Sequence, residues 1–476
     1  MALIRLSEVL TGLAGHVVAV SSEAEMIFRD VVIDSRMVTP GSLFVALRGE
    51  HQDGHAFVSD AFARGAAGAI VERPMEGYVT LSSTDCWQVA DLHQPICMLV
   101  PDAMSGLQQI AAHWRRLHAK CKVVGITGSV GKTTTKELVA AVLSRCYETV
   151  KSEGNYNNEI GLPLTLLGLA NSTERAVLEM AMYDIGEIAL LANIALPDVG
   201  VVTNVGPTHL ERLGTIDRIA QAKAELVQAL PAEGAAVLNG DDPRVRGMAA
   251  KTPARRVLTY GLGPDVDLRA TDVSVRGLRG VDFILHYEGK ALPAATSLLG
   301  QHSVETALAA AAVGIVEELT WDEIMDGLAD PDAQVRLQPV RGWNGSTILD
   351  DSYNASPAST GAALDFLAEL PGRKIAVLGD MLELGSLETE GHWQVGRKAA
   401  ETVTTLFTLG ALGRIIGESA LDAGMDRAAV HMAEDKEAII AGIREVLDPN
   451  HVVLVKGSRG MAMEEIVAGL MEENEK

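Results

Sequence analysis

The stretch Val123-Val124-Gly125-Ile126-Thr127-Gly128-Ser129-Val130-Gly131-Lys132-Thr133-Thr134-Thr135 decides the fold of everything around it. An apolar run enters a glycine-rich turn, and Lys132 opens a segment in which Leu138, Val139, Val142 and Leu143 recur at helical spacing. A strand, a glycine turn and a helix start, in that order, make a polyphosphate cradle. The glycines let backbone N–H groups curl round the anion, and the helix start adds partial positive charge. Gly128, Ser129, Val130, Gly131, Lys132, Thr133 and Thr134 would surround the phosphates. Lys132 would reach the terminal ones, and the Thr133 hydroxyl would ligate magnesium. Ile126 stands where the usual pattern has glycine, which leaves the narrower form Thr-Gly-x-x-Gly-Lys-Thr. The alternative is a tight strand–helix turn with no ligand, and Lys-Thr-Thr directly after the second glycine speaks against it. The expectation is nucleoside triphosphate binding, with ATP and Mg2+ as cofactors.

Outward from this turn the strand-then-helix rhythm repeats, with apolar runs at 123–126, 176–180, 199–203 and 235–239. Such alternation predicts a mostly parallel sheet covered by helices. In open sheets of this kind ligands sit beyond the carboxyl ends of the strands. Glu179 ends one of those strands, and Thr203-Asn204-Val205-Gly206-Pro207-Thr208-His209 follows another. A carboxylate and an imidazole delivered to the phosphate edge suit magnesium ligands or electrostatic clamps. Taken alone, Glu179 reads as a solvated strand end and His209 as a helix-start hydrogen bonder. Their shared edge favours the functional reading. Lys223, in Ala220-Gln221-Ala222-Lys223-Ala224-Glu225-Leu226, reads by composition as a solvated helical charge. The loop Asn155-Tyr156-Asn157-Asn158-Glu159-Ile160-Gly161 offers three uncharged amides to a polar ligand. It reads equally well as an Asn-rich turn.

The chain of 476 residues divides into three α/β units. Residues 1–100 carry short β-like runs, 101–331 hold the phosphate turn, and 332–476 form a dinucleotide-binding-like sheet without the Gly-x-Gly-x-x-Gly fingerprint. Within the central unit, Gly261 to Lys290 reads as an inserted β meander, and an alanine-rich helix from Val304 to Val316 closes the unit. Apolar residues make up 47% of the chain, with no run long enough to cross a bilayer and no signal-peptide order at the start. A cytoplasmic protein without membrane insertion is expected. Cys86, Cys97, Cys121 and Cys146 show no metal-ligand spacing and read as reduced packing residues. A net charge of −23 argues against a nucleic-acid partner.

Over nearly its whole length the chain resembles the Mur ligases, ATP-dependent amide-forming enzymes of peptidoglycan precursor synthesis. The first unit contributes Asp34-Ser35-Arg36, Pro40 to Leu47 and Asp53-Gly54-His55. The central unit contributes Thr127 to Thr134, Asn155 to Pro163, Glu179, Asn204 to Glu211 and Lys223-Ala224-Glu225. The third unit contributes Asp350-Asp351-Ser352-Tyr353-Asn354-Ala355-Ser356-Pro357, Gly379-Asp380-Met381-Leu382-Glu383-Leu384-Gly385 and Lys456-Gly457-Ser458-Arg459-Gly460.

The resemblance implies a small UDP-binding domain, a central ATPase domain and a Rossmann-like ligase domain. Its third-unit motifs point to the member that joins D-alanyl-D-alanine to UDP-N-acetylmuramoyl-tripeptide through an acyl phosphate, acting as a monomer. It implies that Lys132, Glu179, His209 and Lys223 are catalytic, and that Thr133, Glu179, His209 and a carbamylated Lys223 hold the metal. Arg336 and Asp351 would meet ATP. Ser35 would lie at the uridine, and Asn155, Asn157 and Asn158 at the muramyl peptide. The chain departs from the family pattern at Gly300-Gln301-His302-Ser303-Val304-Glu305-Thr306, where two asparagines are lost. It departs also at Ala181, at Ser356 and in the added length from Ser82 to Gln94. A sister amide ligase, a P-loop kinase or ATPase, and a non-catalytic nucleotide-gated protein are the rival classes.

Overall fold

Three mainly parallel sheets follow one another along the chain in the computed structural model, which describes residues 3–49, 52–82, 95–208 and 210–472. The first sheet has the order Val31–Val32, Leu43–Val45, Gly68–Val71, Ile96–Leu99, Val79–Ser82, with every pairing parallel. The helices Leu6–Ala14 and Ala103–Leu117 pack together beside it. Their apolar faces join a core that runs on through Leu162, Leu178 and Leu226.

The central sheet places the phosphate strand, Lys122–Thr127, between Arg175–Glu179 and Val199–Val202. Glu179 lies level with Ile126, and Val202 with Thr127. The carboxyl ends of all three strands therefore open on one edge. The helix Lys132–Leu143 follows the turn. It is buried against the helices Ser303–Val316 and Trp321–Leu328 on its outer side.

Beyond Val199–Val202 the sheet continues through Ala235–Asn239 and Arg256–Gly261. The segment expected as an inserted meander instead extends this same sheet. Leu268–Val275 joins in parallel at Tyr260 and Gly261, and Val281–Tyr287 and Lys290–Thr296 add antiparallel strands. Leu268, Ala270, Val281, Phe283 and Leu285 feed the same apolar core as Val124 and Val237, which is why the strands dock rather than stand apart.

The third sheet has the order Gln338–Arg341, Thr347–Asp351, His451–Lys456, Arg373–Gly379, Thr405–Leu409, Val430–Ala433. It is parallel except at its first strand, and apolar clusters cover both faces. Asp351 and Lys456 end neighbouring strands in register, so their side chains meet at the sheet's carboxyl edge. No helix of the described residues is long and apolar enough to cross a membrane. Cys97 and Cys121 are buried, as packing residues should be, but Cys146 is exposed because it lies past the end of the phosphate helix. Cys86 lies outside the described residues, as does the segment 83–94.

Candidate active site

A cavity of about 1000 Å³ opens between the central and third sheets. Ser129 to Thr135, Asn155, Asn157, Asn158 and Glu179 line it from the central side, and Arg336, Asp351, Tyr353, Glu383, Lys456 and Arg459 from the other. Most of the residues expected to gather at the phosphates do so.

The turn is held by the neighbouring strand end. Val130 N–H donates to Asn204 Oδ1 at 2.8 Å, and Asn204 Nδ2 returns a bond to the Val130 carbonyl at 2.9 Å. Thr203 Oγ1 donates to the same carbonyl at 2.8 Å. Ser129 Oγ accepts from Gly206 N–H at 2.8 Å and donates to its carbonyl at 3.0 Å. Gly128 has φ +155°, and a Cβ there would stand 1.8 Å from Thr203 Oγ1, so only glycine fits. Thr203 and Asn204 thus have a role that the sequence did not disclose. The turn is clamped before any anion arrives.

Lys132 folds back over the turn it follows, donating to the carbonyls of Gly128 at 2.9 Å and Ser129 at 3.3 Å. Burial pushes its ammonium below the ordinary lysine range. The charge of Glu179 opposes that shift, while that of Arg336 adds to it.

Glu179 is 3% exposed, so the solvated strand end does not hold: the sheet edge and the Asn155–Asn158 loop close over it. Its Oε1 accepts from Asn157 Nδ2 at 2.8 Å, and its N–H donates to Ser152 Oγ at 3.3 Å. Oε2 is buried with no partner among the described residues. A buried carboxylate oxygen left unpaired costs about 1–3 kcal/mol or more, and a cation in the cavity would relieve it. The amide loop is both a turn and a site wall. Asn158 Oδ1 accepts from Gly161 N–H at 2.9 Å as a turn former, while Asn157 reaches Glu179 at the phosphate edge.

Lys223 overturns its compositional reading. It is 2% exposed, on the helix Ile216–Gln228, in the same buried stripe as Ile219, Leu226 and Val227. Burial pushes its ammonium well below the ordinary lysine range, and the like charge of Lys132 pushes it further. Two residues on, Glu225 accepts from Gly186 N–H at 2.7 Å and Ala189 N–H at 2.9 Å, capping the helix Glu187–Ala195. His209 lies outside the described residues.

On the far wall the Arg336 guanidinium stacks 3.5 Å above the Tyr353 ring, and Arg459 approaches the same ring at 5.4 Å. Asp351 pairs with Lys456, whose Nζ also donates to the Asn354 carbonyl at 2.9 Å. Tyr353 holds both arginines, a function that its motif position did not reveal. Among the described candidates, Gly128, Lys223 and Ser35 do not line this cavity. Gly128 lies at the base of the turn, Lys223 is buried in its helix within reach of the Lys132 charge, and Ser35 is buried on the first sheet's side.

Three family models match in order. The Mur ligase family catalytic domain covers residues 28–113, the Mur ligase middle domain 126–314 and the Mur ligase glutamate ligase domain 335–459. The chain belongs to the Mur ligase family.

Among relatives of this Mur ligase is the UDP-N-acetylmuramoyl-tripeptide–D-alanyl-D-alanine ligase of Bacillus subtilis, 36% identical over 94% of each chain. The Escherichia coli ligase of the same name is 36% identical over 94% of this chain and 95% of its own. Among solved structures, MurF from Acinetobacter baumannii superposes with a TM-score of 0.84 at 28% identity, over 99% of this chain and all of that one. MurF ligase from Thermotoga maritima, in complex with ADP, gives 0.77 at 29% identity, over 93% and 96%.

Proposed function

We propose that this Mur ligase joins D-alanyl-D-alanine to the terminal carboxylate of UDP-N-acetylmuramoyl-tripeptide at the expense of ATP, in peptidoglycan precursor synthesis. The observation that carries the reading is one cavity walled by a phosphate turn on one side and by the third sheet's motif loops on the other. Relatives named for this reaction match across both walls.

The chemistry suits those walls. A carboxylate is a poor electrophile, so its oxygen attacks the γ-phosphorus of ATP and ADP leaves, giving an acyl phosphate. The dipeptide amine, having lost a proton, then attacks the acyl carbon, and phosphate leaves from the tetrahedral anion. The chain supplies positioning and charge. Gly128 to Thr134 hold the phosphates, Lys132 leaves its carbonyl partners for the γ-phosphate, and Arg336 and Asp351 meet the nucleotide from the third sheet. Asn155, Asn157 and Asn158 hold the peptide end of the acceptor, and Ser35 holds the uridine end. In this division residues 1–100 bind the UDP substrate, 101–331 the ATP, and 332–476 form the Rossmann-like ligase domain.

Magnesium fits the donors present. Thr133, Glu179 with its unpaired Oε2, His209 and Lys223 would hold it. When bound it spreads the charge that builds on the phosphate oxygens. A bare ammonium at Lys223 repels a cation. A carbamate on that nitrogen would be an anion, and burial, which disfavours the ammonium, favours the neutral amine that takes up carbon dioxide. We place the enzyme in the cytoplasm, as a monomer without nucleic-acid partners.

The deciding experiment measures phosphate release from ATP and magnesium with UDP-muramyl-tripeptide, with and without D-alanyl-D-alanine. Release that needs both, with product heavier by one dipeptide unit, supports the ligase. Release indifferent to the dipeptide would leave an ATPase and remove the proposal.

A further inference from the structure

The helix that follows the phosphate turn buries a second lysine, one to which the reaction above gives no work. Lys136 has no exposed surface, and lysine is almost never fully buried unless it is paired. Its Nζ donates to the Ser152 carbonyl at 2.6 Å and sits 3.5 Å from that of Gly154. It also lies 3.0 Å from Glu137 Oε1, and Glu137 pairs in turn with Lys151. The contacts of this ammonium outside its own helix thus fall on 152–154, immediately before the Asn155–Asn158 loop.

Ser152 passes the restraint on. Its N–H donates to the Val177 carbonyl at 3.0 Å, and its Oγ accepts from Glu179 N–H at 3.3 Å. The loop then closes the circuit, because Asn157 Nδ2 reaches Glu179 Oε1 at 2.8 Å and the Asn157 carbonyl accepts from Ala181 N–H at 2.9 Å. From Lys136 to Glu179 each link is a hydrogen bond, and the start of the chain is one helical turn from Lys132 and Thr133.

We infer that Lys136 is a positioning residue. It fixes the 152–154 segment to the phosphate helix, so that the amide loop and the Glu179 carboxylate keep one place relative to Lys132. A cation is needed there because two carbonyls and a carboxylate converge on the spot, all acceptors. A methionine of similar length would fill the volume and leave the two carbonyls unpaired, with Glu137 held by Lys151 alone. The inference rests on the reading that Asn157 and Glu179 serve the ligase.

The test compares the full-length wild type with Lys136→Met, Lys136→Arg and Ser152→Ala. For each, the active fraction is counted by stoichiometric binding of the UDP substrate, and Tm is recorded. Steady-state constants are expressed per active molecule. Lys136→Met is expected to raise the KM for UDP-muramyl-tripeptide and lower kcat, each by about tenfold or more, since small misplacements remote from the chemistry have effects of that order. ADP affinity, measured by calorimetry, should stay within about twofold, because the phosphate turn keeps its own clamps. Lys136→Arg should recover most of the loss, and Ser152→Ala should reproduce part of it without touching the lysine. A Lys136→Met protein with a lower Tm or active fraction but unchanged constants per active molecule would make the lysine merely structural and overturn the inference. If Lys136→Met does not fold, unchanged constants in Ser152→Ala overturn it instead. A wild type that makes no dipeptide product would defeat the ligase reading first, so the two failures are distinct.

Discussion

Gly385, on the loop after the Arg373–Gly379 strand, presses against the backbone of Glu211 on the central unit. A Cβ built on it would stand 3.0 Å from the Glu211 nitrogen and 3.1 Å from its Cα. Leu387 packs into the central core nearby, and the Arg212 guanidinium lies 5.0 Å over the Tyr183 ring. This is where the third sheet docks on the segment after position 209. With φ at +55°, a β-branched residue at 385 would be strained as well as crowded.

Gly385→Val should therefore weaken docking by about 1–3 kcal/mol, the cost of a misplaced backbone conformation. The expected result is a fall in kcat with little change in Tm or in affinity for the UDP substrate, and a larger radius of gyration by solution scattering. Unchanged turnover would take this contact off the catalytic path.

Lys132→Ala should reduce phosphate release by about a hundred- to a thousandfold, the usual effect of removing one donor to a developing anion. Binding of the UDP substrate, followed by calorimetry, should stay nearly intact. Equal loss of both would argue that the nucleotide and muramyl sites are one.

What could be read from the sequence follows how local its cause is. The phosphate turn is a contiguous strand–glycine–helix signal, and the strand-end rule then points to Glu179 and His209 on the same edge. The structure has Glu179 there, and His209 lies outside the described residues. Composition alone puts Lys223 on a solvated face, whereas its spacing from Ile219, Leu226 and Val227 puts it on the buried stripe of its helix, a signal that periodicity carries and composition does not. The caps that Glu225 makes at Gly186 and Ala189 cross more than thirty residues and leave no local trace. Nor does the junction of Leu268 with Tyr260 that turns the meander into part of the main sheet.

Arg336 owes its place to Tyr353, so the two should fail together. Lysine lacks the planar group that stacks at 3.5 Å. Arg336→Lys and Tyr353→Ala should each raise the KM for ATP by about tenfold, in line with a desolvated cation–π contact of roughly 1–2 kcal/mol. Tyr353→Phe, which keeps the ring, should stay within about twofold of wild type by the same reasoning. A Phe variant as impaired as the Ala variant would shift the role from the ring to the hydroxyl.

Lys223 sets stability against activity. Its ammonium is held well below 10.5 in the folded chain by burial, while the unfolded chain titrates near that value. Between the two the unfolded state carries one proton more than the native state. Stability therefore rises with pH across this window and is lost as pH falls toward the native value. In carbon-dioxide-free buffer near neutral pH, Lys223→Met should be inactive yet more stable than wild type, by about 1–2 kcal/mol. The gap should narrow as pH approaches about 10, where both states of the wild type lose the proton. Urea melts at the two pH values read the stability arm. Bicarbonate should restore activity to the depleted wild type, with a carbamate carbon visible by NMR after labelling, and should do nothing for the methionine variant. A wild type indifferent to bicarbonate would leave the buried amine without its carbamate, and the metal would then have to be held by Thr133, Glu179 and His209 alone.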